Sequence, residues 1–108
     1  MTNINYYTTD EGFAIKAEGH AGYARAGADI VCAAVSMLLQ TLAYRIMDIT
    51  LRYNFDIKSG YFYLDCDTAE GLEAFRTILT GLEALESEYP KHIRISGGCP
   101  IIPKPKME

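Results

Sequence analysis

At 108 residues the chain has room for one domain around one modest core. Hydrophobic residues make up 49% and charged residues 22%, the proportions of a globular protein and not of a disordered one. The formal net charge of −4, with ten Lys and Arg scattered along the chain, argues against a nucleic-acid binder and permits a basic polypeptide partner.

The N-terminal stretch Met1-Thr-Asn-Ile-Asn-Tyr-Tyr7 lacks the basic start and apolar block of a signal peptide. No uninterrupted apolar run approaches the ~20 residues of a membrane span, so no membrane association is expected. Cys32, Cys66 and Cys99 are widely spaced and form no CxxC pair. That usage suits free thiols in a reducing cytoplasm better than a disulfide framework.

Ile4 to Thr8 and Phe13 to Glu18 read as two short strands, the second with a clear period of two. Thr9-Asp-Glu-Gly12 has the composition of the hairpin turn between them, with Gly12 free to take a positive φ. Gly19-His20 follows directly, and then Ala21 to Ala28, a segment of small residues with Tyr23 and Arg25 between them. It offers little to pack and is expected to be mobile. Asp29 is a good N-cap for a strongly apolar helix running to about Thr50. The apolar stripe Val31, Val35, Leu38, Leu42, Ile46 and Ile49 is widened by Ala33, Ala34, Met37, Leu39, Ala43 and Met47. Such a helix is expected to be covered on more than one side, by the core and by a second subunit.

Tyr53 to Ile57 and Tyr61 to Cys66 form a second hairpin around Lys58-Ser-Gly60. Asp67 or Thr68 caps a second helix, with Glu70 three residues after Asp67 in a capping-box arrangement. Leu72, Phe75, Leu79 and Leu82 supply its buried stripe, and Pro90 stops it. Ile93 and Ile95 mark a last strand ended by Gly97-Gly98. The order ββαββαβ predicts an α+β fold, two helices packed on one face of a mostly antiparallel five-stranded sheet. Residues 1–98 are expected to form the single domain, and 99–108 an extended, proline-rich tail.

Candidate chemistry concentrates around the glycine-rich segment. Cys32 lies three residues after the expected cap, where helix-end amides and the helix dipole favour a thiolate and can support an oxyanion. Flanked by Val31 and Ala33, it is equally at home as a small core hydrophobe. Eleven residues separate it from His20, and at ~3.3 Å per extended residue the segment can bring imidazole and thiol together. A histidine so placed can orient a thiolate and protonate a leaving amine. Asp29 can hold the imidazole, although capping explains it more simply. Ser36, one turn after Cys32, can hydrogen-bond in a site or to its own helix. Tyr23 and Arg25 fit a lid over bound peptide or plain loop surface. His20, Cys32, Cys66, His92 and Cys99 contain no close ligand pair to nucleate a zinc site. Gly19, Gly22 and Gly27 lack the Lys-Ser/Thr ending of a P-loop, and the GxxG of Gly19–Gly22 lacks the basic surroundings of a KH loop.

Gly19-His-Ala-Gly-Tyr-Ala24, then Gly27 and Asp29-Ile-Val-Cys-Ala-Ala-Val-Ser36, resembles the signature of the bacterial ribosomal-processing cysteine proteases, the Prp family. The element order and chain length extend the resemblance over essentially the whole sequence. It implies a cytoplasmic, homodimeric endopeptidase without a cofactor or metal. Its substrate would be the N-terminal extension of large-subunit ribosomal protein twenty-seven, a basic precursor. Carried onto the matching positions, Cys32 is the nucleophile and His20 the general base and acid, with Asp29 and Ser36 in supporting roles. The segment containing Gly22, Tyr23, Arg25 and Gly27 would be the flexible substrate loop. The alternative is a non-catalytic ribosome-associated or protein-binding module that retains the motif.

Overall fold

The computed structural model describes residues 1–25 and 27–98. The elements follow the expected order: β1 (Thr2–Thr9), β2 (Gly12–Glu18), α1 (Ile30–Ile49), β3 (Tyr53–Lys58), β4 (Tyr61–Cys66), α2 (Ala69–Glu88) and β5 (Ile93–Gly97). The proline-rich tail expected over 99–108, including Cys99, lies outside the described residues.

The five strands form one mixed sheet in the order β3-β4-β2-β1-β5. β1 pairs antiparallel with β2, β2 with β4 and β4 with β3, while β5 lies parallel to β1 at the far edge. The period of two turns Ile4, Phe13, Ile15, Ala17, Phe62, Leu64, Cys66 and Ile93 into the core. Both helices cover that face, α1 over β4 and α2 over β2 and β5, and they pack on each other. Phe75 of α2 is fully buried at the centre, stacked on Phe13 at 4.6 Å and tilted against Tyr6 at 5.4 Å.

Three local details correct or extend the sequence expectations. Gly12 is not among the positive-φ glycines. It opens β2 opposite Thr9, and a Cβ there would lie 2.1 Å from the Cys66 carbonyl oxygen, so close strand approach explains the glycine. Thr68, not Asp67, caps α2, its hydroxyl accepting from the Gly71 amide at 3.0 Å. Asp67 instead receives a bidentate ion pair from Arg52, which removes it from any capping box with Glu70. Finally, β4 is buried on both faces although the helices cover only one. On the helix-free side Asp65 accepts from the Tyr63 hydroxyl at 2.6 Å and from Asn54 Nδ2 at 3.2 Å, so its buried carboxylate is satisfied. Burial, followed by this carboxylate, pushes the Tyr63 hydroxyl well above its usual ionisation range.

By length and composition α1 would be able to cross a membrane, a property the sequence shows in no uninterrupted apolar run. Within this fold Val31, Val35, Leu39, Leu42, Ala43 and Ile46 bury one side of it in the core. Its other side remains open. Ile30, Met37 and Tyr44 recur every seven residues at 58%, 62% and 69% exposure, and Leu51, one step beyond, is 91% exposed. Seven residues are nearly two helical turns, so the three helical side chains form one stripe.

Candidate active site

Three pieces of backbone converge at one end of the sheet. They are the end of β2 leading into His20, the first turn of α1, and the β3–β4 turn. The Gly19 amide donates to the Gly60 carbonyl at 2.9 Å, tying the first piece to the third. Gly60 has φ +72, and a Cβ there would stand 3.2 Å from His20 Nε2, so the imidazole rests against a turn that has no room for a side chain.

Asp29 caps α1 as expected, Oδ1 accepting from the Cys32 amide at 2.9 Å. Its second oxygen has a role that cap chemistry alone does not disclose. Oδ2 accepts from the amides of Tyr23 at 3.0 Å and Ala24 at 3.3 Å, across the glycine-rich loop. Both oxygens are therefore committed to backbone amides, and among the described residues no bond joins Asp29 to His20. The Cys32 amide leads the donors that hold this carboxylate below its ordinary range. The same contact occupies the Cys32 amide, and the Ala33 amide bonds to the Asp29 carbonyl. Neither is free to serve an oxyanion, contrary to the expectation from helix position.

Cys32 is half-buried, not sealed in the core, and its thiol is free. The Ala21 amide donates to Sγ at 3.1 Å, the contact that a thiolate would use. No hydrogen bond joins His20 to Cys32 among the described residues, but the two line the same space. One cavity of about 320 Å³ is walled by both, with Ser36 and Gln40 on α1 and the β3–β4 turn around Ser59 opposite. A second depression is again lined by His20, Cys32 and Ser36, with Gly22, Gly27 and Asp29. Ser36 Oγ accepts from the side-chain Nε2 of Gln40 at 3.0 Å and so bonds to its own helix, through a side chain one turn on.

The glycine-rich loop carries more anchoring than its composition suggests. Gly19, Gly22 and Gly27 all take positive φ, which lets the chain fold back over the helix end. The Ala28 amide closes a turn on the Arg25 carbonyl at 3.0 Å. Tyr23, instead of hanging free, sets its ring edge-on to Tyr89 and His92. Neither Tyr23 nor Arg25 lines the two depressions among the described residues, whereas Gly22 and Gly27 line the second of them. Cys66 lies apart, buried under α2 with Sγ 3.3 Å from the Thr68 hydroxyl. Motif reasoning assigns no role in this site to Gly60, Ser59 or His92, the last weighed only as a zinc ligand. The turn composition at 58–60 was the available signal for the first two; nothing local marked His92.

Comparison with known proteins points the same way. The family model for the cysteine protease Prp matches residues 1–94. The ribosomal processing cysteine protease Prp of Staphylococcus aureus, strain Mu50, is 30% identical over 104 residues, covering 89% of this chain and 98% of the relative. Two crystal structures of the essential ribosomal processing protease Prp from S. aureus share the fold. One, with a covalently linked product peptide, superimposes with a TM-score of 0.81 at 26% identity, covering 90% of this chain and 99% of that one. The other, with a substrate peptide, gives 0.77 at 25% identity over the same shares.

Proposed function

The chain belongs to the cysteine protease Prp family, and we propose that it removes the N-terminal extension of large-subunit ribosomal protein twenty-seven, with Cys32 as nucleophile and His20 as general base and acid. Family membership makes it a cysteine protease with ribosomal-processing relatives and sets aside a purely binding role. The observation that carries the residue assignment is the common lining of Cys32 and His20 in both depressions, with an amide donor already on the sulfur.

In this mechanism His20 accepts the thiol proton, and the Cys32 sulfur attacks the backbone carbonyl before the scissile bond. The C–N bond breaks as His20 returns the proton to the departing amine, leaving a thioester. Water, deprotonated by His20, then forms the new C–O bond, and the C–S bond breaks to release the acid and the thiol. Two steps of modest height replace one difficult hydrolysis. An acidic chain of net charge −4 suits a basic precursor as substrate. We place the activity in the cytoplasm, where ribosomal proteins mature and free thiols persist. The working unit is a homodimer, a reading supported by the open apolar stripe of Ile30, Met37 and Tyr44 on α1.

Incubation with a peptide copying the precursor's N-terminus, followed by mass measurement, tests the assignment. Cys32→Ala should fold normally and lose turnover by at least about a thousandfold. His20→Ala should lose about a hundredfold or more, the weight of one general acid–base group. Cleavage retained in Cys32→Ala would sink the proposal.

A further inference from the structure

His92 precedes β5 and lies 60 residues after Cys32 in sequence, yet its ring reaches the loop that carries His20. Nδ1 stands 3.0 Å from the Ala21 carbonyl oxygen. A carbonyl only accepts, so Nδ1 bears the proton and donates. The other polar group of Ala21, its N–H, is the donor to Cys32 Sγ. One buried residue next to His20 is thus held by His92 at its carbonyl and bonded to the nucleophile at its amide.

The histidine is itself firmly set. Its amide donates to the Tyr89 carbonyl at 2.9 Å, and its carbonyl accepts from the Thr2 amide at 2.9 Å, beside the parallel pairing of β5 with β1. Tyr23 closes the arrangement from above, its ring edge-on to His92 at 5.4 Å and to Tyr89 at 5.6 Å. The end of α2 and the start of β5 therefore hold the loop on one side while Asp29 holds Tyr23 and Ala24 on the other.

We infer that His92 is a positioning residue for the protease reaction: through the Ala21 carbonyl it fixes the His20–Ala21–Gly22 backbone so that the Ala21 N–H stays on the Cys32 sulfur. The role rests on Cys32 being the nucleophile. It needs no change of charge on His92, because Nδ1–H is present in the neutral tautomer and in the cation alike. A donor at that position is required, and a ring alone does not suffice.

The test compares His92→Phe, which keeps a ring beside Tyr23 but loses the donor, with His92→Asn, whose Nδ2 falls near the place of Nδ1. His92→Gln, with its amide nitrogen displaced further out, replaces His92→Phe if the latter does not fold. Two readouts are taken on protein of verified unfolding midpoint. The first is kcat and KM on the precursor peptide. The second is the rate of Cys32 alkylation by iodoacetamide, located by mass spectrometry, which needs no turnover. The expectation is a fall in kcat of about tenfold in His92→Phe with KM unchanged, a parallel change in alkylation rate, and recovery to within about threefold in His92→Asn. Wild-type kcat and alkylation in the donor-less variant, or equal impairment in His92→Asn, would overturn the inference. If Cys32→Ala still cleaves, the nucleophile assignment fails instead, and the alkylation series still reports on the loop.

Discussion

At the scale of single residues, Asp29 shows how one carboxylate serves two segments. Its Oδ1 ends the helix, and its Oδ2 draws the loop back over the helix end. Only the first role follows from sequence, since an aspartate before an apolar periodic run is a cap signal. The second needs the loop amides to arrive from six and five residues upstream, which depends on three positive-φ glycines. The amides hold the folded-state pKa of Asp29 below its usual 3.8. A depressed carboxyl stabilises the fold fully above its unfolded value, and that contribution is lost as pH falls through the lower folded value. The carboxyl carbon of Asp29, followed by NMR, should therefore titrate with a midpoint below 3.8, and the Tyr23 and Ala24 amide signals should move with it. A midpoint at or above the usual value would contradict the double clamp.

Among the elements, the β3–β4 hairpin contributes most that its sequence conceals. Alternation and Lys58-Ser-Gly60 suffice to place two strands and a turn, but not to place that turn against His20. Gly60 has two separate reasons to be glycine, its φ of +72 and the imidazole 3.2 Å from a would-be Cβ. Gly98 has only the first, with φ +77 and nothing within 4 Å. Both Gly→Ala variants should be destabilised, by about 1–3 kcal/mol for a side chain in the left-handed region. Only Gly60→Ala should also lower kcat/KM, by about tenfold or more, because only there must the histidine move. Unfolding midpoints and peptide kinetics on the pair separate strain from displacement, and equal kinetics in both would remove the hairpin from the site. The cap of α2 makes a related point. Asp67 and Thr68 are indistinguishable as cap signals, and Arg52, fifteen residues upstream, decides between them by claiming Asp67.

For the whole molecule, the open stripe on α1 is the feature a single chain leaves unexplained. An apolar row of this length facing water favours association with a second copy. If the homodimer proposed above forms through this stripe, Met37→Glu combined with Tyr44→Glu should shift the protein from dimer to monomer in sedimentation equilibrium at micromolar concentration, with the fold retained by circular dichroism. A wild-type protein that is monomeric throughout would dismiss the dimer. By itself the sequence determined the element order, the boundaries of the helices to within a residue, and the position of Cys32 in a first helical turn, because periodicity, caps and breakers act over a few neighbouring residues. It also carried the paired motifs of Gly19–Ala24 and Asp29–Ser36 by which the family is known. Only the tertiary structure decided the strand order β3-β4-β2-β1-β5, the parallel placement of β5, and the meeting of His92 and Gly60 with the His20 loop. Those contacts join residues 40 to 71 positions apart. Their formation depends on which sheet edge and helix end the packed core brings together, and no local pattern encodes that.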